Sequence, residues 1–297
     1  MPLASMHFLK TWHLFAACVL TWGTTWYAIT FQIDAMSPEA SVAMRFALAG
    51  GTVLGYCVLS GQRLRFDARD HALLALQGCF MYGVSYLCVY HAEKHIVSGL
   101  VAVGYSASPL VTGIGARALF GTRIGARFLV GGLLGLSGVA LIFWPEFARA
   151  TGDERAVLGA LFTGASVLLS AVGSLTASRN RANGLPFWPA LGYGMLYGAA
   201  TATVCALALG EPFALPASIS WWASLLYLSL AGSVLTFACF LTLQERIGPG
   251  PTATVGVMTP LLALVVSVAF EGLRPDGLTL AGATLAVVGN TMMLKRS

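Results

Sequence analysis

The sequence predicts an all-α integral membrane protein, with ten transmembrane helices arranged as two inverted five-helix repeats. Three observations lead there. First, the 297 residues are 57% hydrophobic and only 10% charged, against roughly 25% charge in a soluble domain. So little polar surface cannot cover a water-exposed globule, and the bilayer must be the main solvent. Second, the apolar residues fall into ten runs of roughly 20 residues, each long enough to cross about 30 Å of hydrocarbon as a helix. Third, one pattern occurs twice. Ser108-Pro109-Leu110, Phe120-Gly121-Thr122-Arg123, Gly131 and Gly138 are echoed by Thr259-Pro260-Leu261, Glu271-Gly272-Leu273-Arg274, Gly282 and Gly289. The paired Pro, Gly and Arg positions are all 151 residues apart, which marks a duplicated half.

The runs can be taken in order. The first, 12–32, has span length and lacks a small-x-small cleavage site, so it reads as a helix rather than a cleaved signal. The second, 38–60, holds Arg45, the one basic residue well inside a span, and Gly51-xxx-Gly55. The third, 71–91, carries Tyr82, Tyr86 and Tyr90 at i, i+4, i+8. The fourth, 97–120, contains Tyr105 and Pro109, and the fifth, 125–144, contains Gly131-xxx-Gly135. The second half repeats the count with 155–178, 186–209, 219–243, 250–271 and 276–295. The halves divide as residues 1–148 and 149–297. None of the runs shows the alternation of a barrel strand. Helices satisfy their backbone polar groups internally, as hydrocarbon demands.

Loop charge sets the expected orientation. With the N-terminus in the cytoplasm, twelve basic residues face inward: Lys10, Arg63, Arg65, Arg69, Arg117, Arg123, Arg127, Arg179, Arg181, Arg246, Lys295 and Arg296. Only Lys94, Arg149, Arg155 and Arg274 face outward. This bias predicts cytoplasmic N- and C-termini. Five spans is an odd number, so the second half enters from the opposite face and the repeat is inverted.

Several classes are excluded. The six cysteines all lie within apolar runs, which argues for small hydrophobes rather than a disulfide framework or metal site. His91 and His95 have helical spacing but no third ligand nearby in sequence. No metal, cofactor or catalytic residue is expected. The basic residues are scattered over short loops, without the stripe that binds nucleic acid. There is no Walker A sequence and no G-x-S-x-G nucleophile motif.

The polar and aromatic residues inside the spans are the binding candidates. Tyr82 and Tyr86, with Tyr105 and the pair Trp22 and Trp26, read as a cavity wall, because a tyrosine tip is costly in lipid. Trp12, Trp144, Trp188, Trp221 and Trp222 lie near span ends and read as an interfacial belt. Ser85, Ser106, Ser170, Ser174, Thr176, Thr236 and Gln244 are hydrogen-bonding candidates, although a membrane Ser or Thr commonly bonds its own helix. Pro109 and Pro260 are equivalent under the repeat and fall mid-span, where each removes a backbone bond; they are the hinge or gate candidates. The pairs Gly51-xxx-Gly55, Gly131-xxx-Gly135 and Gly194-xxx-Gly198 predict close helix contacts. Arg45 is expected to snorkel or pair with Glu39 or Asp34, the alternative being a substrate carboxylate. No Asp or Glu lies in the middle of a span, which favours transport without proton coupling.

In Trp22-Gly23-Thr24, Pro38 with Arg45-Phe46, Ser98-Gly99-Leu100, Ser108-Pro109-Leu110, and Thr259-Pro260-Leu261 with Glu271, the chain resembles the drug/metabolite transporter superfamily, in its ten-helix form of two EamA-type units. It departs from that pattern at Phe120, where the family often has a Glu matching Glu271. The resemblance covers nearly the whole chain. It implies helices around a central substrate cavity lined by spans 1, 3, 4, 6, 8 and 9, with spans 5 and 10 to the side. It also implies a small-molecule substrate, an inner bacterial membrane, and export. The aromatic content most resembles bacterial exporters of aromatic amino acids. The chain supplies both halves, so a monomer suffices. Two other readings remain open here: a proton-coupled exporter of drugs or other metabolites, and a membrane enzyme on lipid-linked substrates built on His91, Glu93 and His95.

Overall fold

A computed structural model describes residues 9–33, 35–121, 123–149, 154–247 and 254–294. Among the sequence features above, Asp34, Thr122, Lys295 and Arg296, and the side chains of Arg149 and Gln244, lie outside the described residues. The described residues form ten helices. These are α1 (Thr11–Ile33), α2 (Pro38–Leu59), α3 (Ala68–Glu93), α4 (Ser98–Phe120) and α5 (Ala126–Arg149) in the first half. In the second half come α6 (Glu154–Ala182), α7 (Phe187–Leu209), α8 (219–247), α9 (Thr254–Phe270) and α10 (Gly277–Leu294). Helices α1–α4 and α6–α8 are long and apolar enough to cross a membrane. α5, α9 and α10 contribute shorter apolar stretches, Ala126–Ile142, Val255–Phe270 and Gly277–Met293.

Local signals set the helix ends. The Ser37 hydroxyl accepts from Ala40 N at 3.3 Å, with Pro38 in the first turn. Asp67 caps α3 by accepting from Asp70 N at 2.7 Å, and Asp276 caps α10 by accepting from Thr279 N at 2.8 Å. Each satisfies an amide that the helix leaves unpaired. Gly121 and Gly272, related by the repeat, close α4 and α9 with φ of +67° and +71°, a region that favours glycine.

The packing carries the duplication into three dimensions. α1 packs on α8 and α9, as α6 packs on α3 and α4. α2 pairs with α7, and α5 with α10. Exchanging each helix with its counterpart five places on maps this set onto itself. The α5–α10 contact shows the geometry most clearly. A Cβ on Gly131 would stand 2.6 Å from the Gly289 carbonyl, and one on Gly138 would stand 2.4 Å from the Gly282 carbonyl. Gly131 and Gly282 are repeat partners, as are Gly138 and Gly289. Each glycine therefore touches the partner of the other, the self-complementary signature of a two-fold. The two helices run antiparallel, so the repeat is inverted.

Other expectations are corrected. Gly51 and Gly55 have nothing within 4 Å of an added Cβ, so this pair makes no close helix contact. Gly194 and Gly198 do, against Gln77 and Tyr82 of α3. Trp221 is fully buried with Met36, Ala40 and Leu225 and is not a belt residue, whereas Trp12 and Trp144 are exposed. Two π-helical segments, Cys79–Val84 in α3 and Tyr227–Leu235 in α8, occupy matching places in the two halves. Hydrophobic periodicity does not reveal such widened turns, which occur frequently at functional sites.

Candidate functional site

The aromatic residues of α3 do not share one environment. Tyr82 sits within the π segment and is buried in helix packing. Its ring lies 5.3 Å from Phe46, and a Cβ on Gly198 of α7 would meet its Cβ at 2.5 Å. Tyr86, one turn on, is half-buried, edge-on to Phe46 at 4.7 Å. Tyr105 lies where α4 tightens into a 3₁₀ turn at Tyr105–Ala107, just before Pro109. Its ring is 5.2 Å from Trp26 of α1, and its hydroxyl is within reach of Ser166 and Ser170 of α6. Trp26, Tyr86, Tyr105, Phe162 and Phe237 are all partly buried against the same core. Trp26 and Tyr105 thus bring rings of α1 and α4 into contact, and Tyr86, Phe162 and Phe237 add rings of α3, α6 and α8 to the same core.

The other sequence candidates have local partners. The Trp22 indole donates to the Gly232 carbonyl at 3.0 Å, joining α1 to the π segment of α8. The Thr236 hydroxyl donates to the Ala231 carbonyl at 2.6 Å, and Ser85 to the Met81 carbonyl at 2.8 Å. Ser174 is half-buried on α6. Of the two prolines, Pro109 is exposed beside the 3₁₀ turn, while Pro260 is buried inside a continuous α9. The same residue at equivalent positions thus breaks one helix and not the other.

A polar cluster borders the rings. Arg45 is only 2% exposed, so it does not snorkel. It does not pair with Glu39 either, because Glu39 holds His91 at 2.7 Å. The Arg45 guanidinium lies over the Tyr86 ring at 4.8 Å and donates to the Tyr90 hydroxyl at 3.4 Å. Tyr90 in turn donates to Gln32 Oε1 at 2.7 Å. A desolvated cation–π contact of this kind contributes about 2 kcal/mol. Glu93, 7% exposed, stands one turn beyond Tyr90. Arg45 Nε, Gln32 Nε2 and both Glu93 carboxylate oxygens are buried without hydrogen-bond partners. Sequence reading singled out Arg45, Tyr90 and Glu93 separately, Tyr90 in the tyrosine column and Glu93 in the His91–His95 trio; it missed Gln32, and it missed their association, which depends on the packing of α1, α2 and α3. The trio His91, Glu93 and His95 does not gather as a reactive cluster. His91 and His95 both stack on Phe162, at 5.2 and 6.2 Å. Burial, with help from His91, Arg155 and Lys94, pushes the His95 pKa down.

Near the same end, α4 and α9 are tied together. Glu271 Oε1 accepts from Ser98 N at 3.2 Å, and Oε2 accepts from the Ser98 hydroxyl at 2.6 Å. The Ser267 hydroxyl also bonds Glu271, and it accepts from Gly99 N at 2.8 Å. A carboxylate at the first turn of α4 is favoured by that helix's unpaired amides. Beyond the 3₁₀ turn, Ser108–Phe120 packs on α6 and α5 rather than continuing along α9. α4 and α9 are latched at one end and diverge at the other.

Comparison with known proteins agrees with this architecture. The sequence signature of the EamA-like transporter family matches residues 10–144 and again 157–295. The chain is 26% identical to the uncharacterized inner membrane transporter YedA of Escherichia coli K12, over 87% of this chain and 82% of that one. It is 23% identical to the uncharacterized transporter YdfC of Bacillus subtilis, over 90% and 85%. It is 24% identical to protein PecM of Dickeya dadantii, over 92% and 88%. A solved crystal structure, 20% identical and covering 95% of this chain and 96% of its own, superposes with a TM-score of 0.68 and shows the fold alone. The protein, with its duplicated five-helix unit, belongs to the EamA-like transporter family of multi-pass membrane transporters.

Proposed function

We propose that this transporter exports aromatic and large apolar amino acids across a bacterial inner membrane, by alternating access and without proton coupling. The observation that carries the substrate class is the contact of Trp26 with Tyr105, from two different helices, with Tyr86 packed on the same core and the Ser166 and Ser170 hydroxyls within reach of Tyr105. Such a wall suits a flat, largely apolar side chain by stacking and area burial. The loop-charge bias supports cytoplasmic termini, which puts the Glu271 latch on the outer face. In this reading the two units, residues 1–148 and 149–297, rock about the site in a monomer. Pro109 and its 3₁₀ turn act as the hinge of α4, with Pro260 as its quieter counterpart in α9. Ser174, a turn beyond Ser170 on α6, contributes a further hydroxyl.

A second reading, proton-coupled export, has one observation in its favour. Glu93 is a buried carboxylate without a hydrogen-bond partner, and carboxylates buried in membrane helices are the usual members of proton relays. One assay separates the two. Purified protein in liposomes is tested for uptake of radiolabelled tryptophan, phenylalanine and threonine, with and without an imposed pH gradient. Saturable uptake of the aromatic amino acids, indifferent to the gradient and lost in Tyr86→Ala or Trp26→Ala, is expected. Uptake that requires the gradient selects the coupled reading. Uptake of none of them overturns the substrate assignment.

A further inference from the structure

Four buried polar atoms close to the aromatic rings lack partners, and they fall into two complementary kinds. Arg45 Nε and Gln32 Nε2 are donors; Glu93 Oε1 and Oε2 are acceptors. Leaving such groups unmade in a low-dielectric interior is costly, and native structures rarely tolerate it without a reason. They are not scattered. Tyr90 connects Arg45 to Gln32 through its hydroxyl. Glu93 is three residues along from Tyr90, on the same face of α3. Glu93 feels the charge of Glu271 and, less strongly, that of Arg45. The structure nevertheless has Arg45 over the Tyr86 ring rather than in an ion pair with Glu93.

A ligand that satisfies both kinds at once must offer an acceptor anion and a donor cation close together. An α-amino acid does so, its carboxylate and ammonium flanking a single carbon. We infer that Arg45 and Gln32 receive the α-carboxylate of a zwitterionic amino acid while Glu93 receives its α-ammonium. Tyr90 positions the carboxylate partners by holding Gln32 and Arg45. The side chain then extends from this polar head toward Tyr86 and Trp26. Burial strengthens both charge contacts relative to water, and the guanidinium geometry suits a carboxylate. This assignment rests on the amino-acid reading above and adds which residues distinguish an intact zwitterion from a ligand with one charge.

The test is binding to the full chain in lipid nanodiscs, by calorimetry and by ligand-induced rise in Tm. The probes are L-tryptophan, tryptamine, which lacks the carboxylate, and indole-3-propionate, which lacks the ammonium. The wild type is expected to bind each single-charge analogue at least tenfold more weakly than tryptophan. Arg45→Gln should erase the preference over tryptamine and keep that over indole-3-propionate. Glu93→Gln should do the converse. Should Arg45→Gln fail to fold, Gln32→Met, which keeps the guanidinium, should weaken tryptophan more than tryptamine. Wild type that binds tryptophan and both analogues alike overturns the two-headed site and leaves the aromatic reading standing. Equal weakening of all three ligands in both variants also overturns it. Absence of tryptophan binding in the wild type overturns the substrate reading and this assignment together.

Discussion

The two ends of the α4–α9 pair are built from repeat-related positions, yet among the described residues only one carries a lock. At the latched end Glu271 gathers Ser98 and Ser267, and Ser267 accepts from the Gly99 amide. The counterparts in sequence, 151 positions earlier or later, are Phe120 and Ala116, together with Pro249, which lies outside the described residues. In sequence, a carboxylate and two hydroxyls thus correspond to a phenyl ring, a proline and a methyl. The backbone is duplicated while the chemistry is not. An inverted repeat makes two access states geometrically equivalent. In the proposed alternating-access mechanism, side chains of this kind make the two states energetically different, and the substrate-free protein is expected to favour the state closed at Glu271.

Three substitutions break or sharpen that comparison, each read by the labelling rate of Val101→Cys in a cysteine-free background. Val101 is fully buried on α4, within a turn of the latch. Glu271→Ala has the largest expected effect, because it removes an ionised acceptor and leaves the Ser98 amide and hydroxyl unpaired. Hydrogen bonds to charged groups are worth about 1.5–3 kcal/mol each, so labelling from the latched side should rise more than about tenfold. Gly99→Val comes next. A Cβ there would stand 2.7 Å from the Ser267 hydroxyl and 3.1 Å from the Ala263 carbonyl, which wedges the helices apart while the carboxylate remains. A several-fold rise is expected. Phe120→Glu has the smallest effect. It restores a carboxylate at the equivalent end, but neither hydroxyl counterpart exists there, so labelling should change less than about twofold. A drop as large as the rise in Glu271→Ala would mean that the carboxylate alone makes a latch.

Much of the fold could be read without coordinates. Ten runs, an odd number of spans per half and a constant repeat offset led to an inverted pair, because membrane-spanning helices have few alternatives. The glycine pairs were less legible. Gly194 and Gly198 meet α3, yet Gly51 and Gly55 meet nothing, since spacing identifies a smooth helix face but not what lies against it. The site was legible only in part. Trp26 and Tyr105 are in ring contact and Tyr86 packs on the same core, whereas Trp22, Ser85 and Thr236 bond to backbone carbonyls. An i, i+4, i+8 spacing assumes a regular helix, and the π segment at Cys79–Val84 separates Tyr82 from Tyr86. Glu93 stands at the end of its run, and a sequence alone gives no sign that such an edge carboxylate is buried.

The most direct test of alternating access around this latch is a pair of spin-label distances, measured by double electron–electron resonance in nanodiscs with and without tryptophan. One pair, at Ile96 and Leu273, brackets the latched end. The other, at Leu119 and Met258, both exposed, brackets the divergent end. The account predicts opposed changes: substrate lengthens the first distance as it shortens the second, and Glu271→Ala produces part of the same shift without substrate. Two distances that stay constant, or that lengthen together, would contradict it.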